Sequence, residues 1–356
     1  MGPAMPQSLQ ILALGVVALL STSTVTDVAP PPRVIPNDNR TPAGTLRDGV
    51  LTLRMVAQPA VWRPEGPDGP ELPIYAFTEE GKRPQIPGPL VRVPVGTEID
   101  IALRNSLPET LRVYGLQHRP SERLDSVDVS PGQTTLFRIR AGAVGTYFYS
   151  ARTSRDTFPF AQYADGQLSG AIVVDTAGPP RRFKDRIFVL GLWRGNHTPF
   201  GTPVERRQEV LVFNGLAWPH TERMTHTVGD SVQWRFINTT RRGHPLHLHG
   251  FYYRVDSRGN AVRDTLLVDE ARRTVVTELV ARGTTMALTW SPHTPGNWLF
   301  HCHLVEHISG RSRPAALFPS AKTNAGHAGH AEHDMSGLVM GIHVRPRPNE
   351  PARPPD

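Results

Sequence analysis

The 356 residues include a single cysteine, Cys302, so no disulfide forms within the chain. Aromatic residues are scarce, at 7%. No apolar run reaches the length of a membrane-spanning helix. No stretch repeats apolar residues at helical spacing, which argues against a bundle and against helix-covered parallel sheets. Glycine-rich phosphate loops, a Ser-His-Asp order and a pair of catalytic carboxylates are also missing, which removes the common hydrolytic and phosphoryl-transfer chemistries. The net charge is +7, but arginine supplies most of the positive charge and is scattered. Pairs such as Arg181-Arg182 and Arg272-Arg273 never extend into a block or stripe, so nucleic acid is not an expected partner. A solvated basic surface is the expected role of this charge, with steering of anionic partners as the alternative.

Proline and glycine are plentiful, 35 and 31 residues. With short apolar runs between them they predict strands joined by turns. Residues 49–57 alternate at period two, and residues 91–105 read as strand, turn, strand. Residues 134–140, 145–150 and 170–175 complete a first unit. A second unit repeats the order. Val228-Gly-Asp matches Val95-Gly-Thr in layout, Gly296-Asn-Trp-Leu-Phe-His matches Gly145-Thr-Tyr-Phe-Tyr-Ser, and Gly341-Ile-His-Val closes it. Two copies of one all-β unit predict tandem Greek-key sandwiches. The expected division is residues 1–29 as an export signal or anchor, 30–43 as a linker, 44–178 and 179–346 as the two sandwiches, and 347–356 as a disordered tail. The apolar segment at residues 11–20 has the length of a signal-peptide core, although no Lys or Arg precedes it. It points to export, to a periplasmic or extracellular location, with membrane contact only if the segment is not cleaved.

Two short motifs carry the chemistry. They are His244-Pro-Leu-His247-Leu-His249-Gly and His301-Cys302-His303-Leu-Val-Glu-His307. Six histidines beside the only cysteine mark a metal site far better than a lone histidine would. On a strand, neighbouring side chains face opposite ways. His301 and His303 therefore point together and Cys302 points away from them, so the cysteine serves one metal and its neighbours another. A thiolate with two imidazoles suits a blue-copper site. Structural zinc, the competing metal, prefers four ligands in closed knuckles.

With these motifs, over about residues 45–345, the chain resembles the multicopper oxidases, with a two-domain plan like the small bacterial laccases. The resemblance implies cupredoxin-like sandwiches and a type 1 copper held by His244, Cys302 and His307. It implies further copper at His247, His249, His301 and His303, which would form half of an oxygen-reducing trinuclear cluster. A small-molecule reductant (a phenol, an aromatic amine or a reduced metal ion) or a redox partner protein would deliver single electrons to the type 1 copper. The family's axial ligand lies a few residues after the last histidine. Here Ile308-Ser-Gly-Arg does not fit, and an insertion at about residues 312–336 would place Leu338 there, with Met335 and Met340 as rivals. Two-domain relatives build their clusters between subunits, which implies a homotrimer.

The first unit departs from the family. Arg112 and Tyr114, then Ser150 and Arg152, stand where two His-x-His pairs are expected. Arginine has no lone pair to offer a metal. The cluster is therefore expected to be incomplete, with the second-domain histidines holding fewer coppers or bonding to Tyr114 and to Asp125, Asp128 or Asp156. A pure electron carrier, or a copper-binding protein without catalysis, are the alternatives. His118 reads as a loop residue, Trp290 and Trp298 as core, Glu306 as a group near the metal surface, and Asp264 as structural. The tract His327-Ala-Gly-His330-Ala-Glu-His333 reads either as a loop insertion or as a metal-gathering segment.

Overall fold

A computed structural model describes residues 1–2, 30–153, 164–178, 184–197, 203–309 and 335–347. The export segment, the His-rich tract, Asp156 and the C-terminal tail lie outside the described residues. The chain divides into Met1–Pro30 and Pro31–Asp356, and all the strands described below belong to the second unit.

Among the described residues the regular structure is almost wholly strand, with three short 3-10 turns. Each sandwich pairs a larger sheet with a five-stranded one. The two five-stranded sheets share one order. In the first, Gly88–Pro94 runs parallel to Ser169–Asp175, followed by antiparallel Gly145–Thr153, Leu111–Tyr114 and Ser126–Val129. In the second, Arg223–Thr227 runs parallel to Val339–Arg345, followed by Gly296–Cys302, His244–Leu248 and Thr277–Val280. The larger sheets agree likewise: Val50–Trp62 lies parallel to Glu98–Asn105, and Lys184–His197 parallel to Val232–Asn238. The expected duplication is therefore present throughout the five-stranded sheets and in the inner strands of the larger ones.

Each sandwich closes on its own apolar core. Leu53, Phe77, Ile101, Tyr147 and Tyr149 fill the first; Phe188, Trp234, Phe236, Trp290 and Phe300 fill the second. Further buried clusters join the two, one including Trp62, Ile86 and Trp193, another including Leu90, Phe148, Val189 and Ile237. Trp62 also donates its indole N–H to the Gly215 carbonyl at 2.9 Å. Gly215 has φ +83°, and a Cβ there would lie 2.5 Å from the Ile86 carbonyl oxygen, so the close approach of the sandwiches needs glycine.

Polar groups cross the same boundary. Arg92 and Arg235 both pair with Asp185, and Arg235 donates to Thr146 Oγ1 at 2.9 Å. The Thr146 N–H donates to Asp264 Oδ2 at 2.8 Å, and Ser257 donates to the same oxygen at 3.2 Å. Asp264 Oδ1 is buried without a hydrogen bond. Burial raises the Asp264 pKa, against the opposing effect of these donors. A carboxyl raised in the folded state holds its proton more tightly there than in the unfolded chain. Its ionisation then costs stability as pH rises from the unfolded value, about 3.9, through the folded one. Asp264→Asn is expected to melt above the wild type at pH 7, with the gap closing toward about pH 3.5, below the unfolded carboxyl value. Calorimetry across that range checks it.

Candidate metal centre

The strands His244–Leu248 and Gly296–Cys302 pair with Leu246 opposite Cys302, His247 opposite His301 and Leu248 opposite Phe300. Cross-strand partners share a face. Leu246, Leu248, Phe300 and Cys302 face the core and are fully buried, and His244 joins them by alternation. His247 and His301 face the other way. After Cys302 the chain makes a single turn, Val305–His307, which returns His307 to the core side at 2% exposure. The His307 carbonyl accepts the Leu338 N–H at 3.2 Å, and the Cys302 N–H donates to the Leu338 carbonyl at 3.0 Å. Leu338, itself fully buried, is thus bonded through its backbone to two of the three site residues. Gly337 makes this possible. Its φ is +69°, and a Cβ would lie 2.4 Å from the His307 oxygen.

His244 Nδ1, His307 Nδ1 and Cys302 Sγ form a buried triangle with edges of 3.1, 3.3 and 3.8 Å. The point equidistant from its corners is about 2 Å from each, a metal–nitrogen bond length. Burial pushes the His244 pKa down to about 3, and His307 is lowered by the same cause. Both imidazoles are therefore neutral at ordinary pH, the form that ligates. Burial also pushes the Cys302 thiol up to about 11. A thiolate here needs a cation beside it. Two neutral imidazoles, one soft sulfur and an apolar neighbour fit copper in a trigonal set, and offer zinc no fourth ligand. Met335 and Met340 stand elsewhere: Met335 pairs with Ser309, and Met340 pairs with Phe300 and lines a separate cavity.

On the opposite face, His247, His249 and His301 bring ligand atoms within 4.8 Å of one another. His249 Nε2 lies 2.9 Å from His301 Nε2. His301 Nδ1 donates to its neighbour's carbonyl, Cys302 O, at 2.8 Å, so its Nε2 is free to accept or ligate. His247 Nδ1 meets Thr277 Oγ1 at 2.6 Å. His303 stands beside this trio, its ring 5.3 Å from that of His247, but exposed and outside the set of converging atoms. His303 follows the strand end at Cys302, its N–H donating to the Pro245 carbonyl at 2.7 Å, and its ring lies 6.0 Å from that of His301 on the same side as the trio.

The first sandwich presents different chemistry on its corresponding strands. Arg112 donates to both oxygens of Asp128 at 2.6 and 2.7 Å, and Arg152 lies over the Tyr114 ring at 5.2 Å. Asp128 is thus the partner of Arg112. Among the described residues no hydrogen bond joins the histidines to Tyr114, Asp125 or Asp128, one of the arrangements the sequence left open. His118 accepts the Arg140 N–H at 3.0 Å, a loop role.

Other neighbours carried no sequence signal. Arg242 Nη1 lies 3.1 Å from His307 Nε2, and its Nη2 donates to Glu209 at 3.0 Å. Thr240 Oγ1 lies 2.7 Å from His244 Nε2. A small cavity over His307, of about 20 Å³, is lined by Glu65, Glu209 and Glu306.

Profiles described as multicopper oxidase match residues 83–178 and 192–312, together more than half of the chain. The chain belongs to the multicopper oxidase family. A laccase of Bacillus subtilis is 28% identical over 231 residues, 56% of this chain and 42% of that protein. A probable nitrite reductase-hydroxylamine oxidoreductase fusion protein of Kuenenia stuttgartiensis is 25% identical over 286 residues, 74% of this chain and 31% of that protein. The chain thus spans less than half of either relative. The blue copper oxidase of Nitrosomonas europaea superposes with a TM-score of 0.60 at 18% identity, covering 82% of this chain and 85% of that one, and so shows the shared fold. Copper is the cofactor of this family, and the two His/Cys groups are the candidate sites for it.

The buried thiol gives a direct check. The folded, metal-free protein is expected to resist a thiol reagent at pH 8, while the unfolded chain reacts at one thiol per molecule. Rapid labelling of the folded protein would contradict the geometry described.

Proposed function

We propose that this chain is an exported copper oxidoreductase that takes single electrons from a small reductant, or from a redox partner protein, at a type 1 centre formed by His244, Cys302 and His307. The observation that carries the reading is the fully buried sulfur of Cys302 beside two neutral imidazoles, with His301 next to it in sequence on the opposite face. Copper, when bound there, supplies a one-electron couple. His307 lines the cavity that opens outward, so reductant docks at that edge. Glu65, Glu209 and Glu306 around it provide carboxylates for a proton released by a phenol or amine, or for a reduced metal ion. The route inward is covalent: Cys302 shares its backbone with His301, whose Nδ1 donates to the Cys302 carbonyl.

The oxygen-reducing cluster is incomplete in this reading. His247, His249 and His301 offer a three-imidazole site, whereas Arg112 is committed to Asp128 and Arg152 to the Tyr114 ring. The same observation favours a second reading, an electron carrier that hands single electrons to a partner. A homotrimer is part of the proposal. It would set the histidine face of one subunit near the first sandwich of the next, without adding ligands, since every copy carries the same substitutions. Residues 11–20 support export, and membrane contact follows only if they are retained.

Copper content with visible and electron paramagnetic resonance spectra on the full chain tests the reading. The expected result is one intensely coloured type 1 copper and at most one more per chain. Four coppers with rapid oxygen consumption would overturn the incomplete cluster, and no copper would overturn the site. Leu338 is proposed as the axial residue, where a leucine leaves the copper three-coordinate. Leu338→Met is expected to lower the reduction potential, measured by redox titration, because the added thioether favours the oxidised ion.

A further inference from the structure

The outward edge of His307 carries a contact that a metal-bound histidine cannot keep. Arg242 Nη1 lies 3.1 Å from His307 Nε2. A guanidinium has N–H donors and no lone pair to give. In this pair Arg242 donates and Nε2 accepts. The single proton of the neutral ring then sits on Nδ1 and points into the site, toward His244 Nδ1 at 3.1 Å and Cys302 Sγ at 3.3 Å.

His244 has the opposite arrangement. The Asn238 amide nitrogen donates to the carbonyls of Arg242, Val280 and Ala281, which settles its orientation and leaves Oδ1 as an acceptor. The Thr240 hydroxyl lies 2.8 Å from that oxygen and donates to it. Thr240 Oγ1 also accepts the Arg242 backbone N–H at 3.2 Å, and its remaining lone pair can receive the His244 Nε2 proton at 2.7 Å. His244 Nδ1 is left bare. The bonds run in one direction, from Arg242 through His307 and His244 to Thr240 and Asn238.

A metal needs a lone pair on Nδ1 of both rings. His244 already presents one. His307 must carry its proton on Nε2 instead, where ligating histidines ordinarily meet an acceptor. Here that proton would face Arg242, donor against donor. We propose that Arg242 is a positioning residue that holds metal-free His307 in its non-ligating tautomer, and that metal capture requires the guanidinium to leave Nε2. Glu209, paired with both Arg194 and Arg242, holds the guanidinium against Nε2 in this conformer. The Arg242 side chain is 34% exposed and has solvent to turn into. The inference rests on the reading of His244, Cys302 and His307 as a metal centre.

The test uses Co²⁺, followed by its thiolate charge-transfer band, on the full chain and two variants. In Arg242→Gln the side-chain oxygen can accept from Nε2. In Arg242→Lys the side chain can only donate. Arg242→Gln is expected to bind Co²⁺ about tenfold more tightly than the wild type, the usual scale of partners behind a metal ligand, while Arg242→Lys stays near the wild type. Equal affinity in Arg242→Gln and the wild type, or an equal gain in both variants, overturns the role of Arg242. Ring-nitrogen NMR of the metal-free full chain reads the tautomer directly: His307 Nε2 is expected to lack a proton, and a proton there overturns the proposal without reference to any metal. No Co²⁺ band in any of the three proteins overturns the metal-centre reading, and the proposal with it.

Discussion

The thiol of Cys302 is buried at the inner face of a sheet, and most of the second sandwich can be read from that constraint. Burial raises the thiol's pKa, so an ionised sulfur is stable only beside a cation. The surrounding atoms arrange for one. His244 is supplied by the neighbouring strand, His307 by a single turn, and Leu338 by the closing strand that hydrogen-bonds to both Cys302 and His307. Phe300, two residues earlier on the same face, anchors the strand among Trp234, Phe236 and Phe213. Rigid aromatic packing under the site limits how far its ligands can move.

Strand alternation then ties this buried site to a second one. His301 must face away from Cys302, and His247 must join it because the two are cross-strand partners. One covalent step separates the two faces. The first sandwich has the same sheet order, yet its equivalent strands display an ion pair and a cation–aromatic contact. A duplicated scaffold thus shares its packing in both halves, and among the described residues the candidate metal groups lie in one. The contact between the halves is both apolar and charged. Among the described residues it leaves one buried carboxylate oxygen unsatisfied, at Asp264, which makes the boundary sensitive to pH.

The polar surroundings of the two ligating imidazoles are not equivalent. His244 is backed by a hydroxyl that can accept its proton, whereas His307 is backed by a guanidinium that cannot. In the proposed reading metal capture moves one side chain, Arg242, which lies at the edge where reductant would dock. One carboxylate near it, Glu209, is paired with Arg194 and Arg242, so the charge at this edge depends on where Arg242 rests.

Period-two alternation, turn residues and the repeated order of segments made the two sandwiches legible in the sequence, because strands of a half-buried sheet impose that pattern locally. The convergence of His244, Cys302 and His307 was legible as well. Their motif is short, and the alternation that separates Cys302 from His301 is a local property of the chain. The closing strand could be found beyond its insertion, but the sequence left Leu338, Met335 and Met340 as rivals for the position beside the copper. What only the tertiary structure decided comes from contacts between distant segments. The exposure of His303 beside the buried His301 was decided by the end of the strand at Cys302. Asp128 is taken by Arg112 across a strand pair. Arg242 reaches His307, 65 positions away, and Glu209 holds it there. No residue type announces such a contact, because a guanidinium beside a metal ligand is written in the path of the backbone and not in any motif.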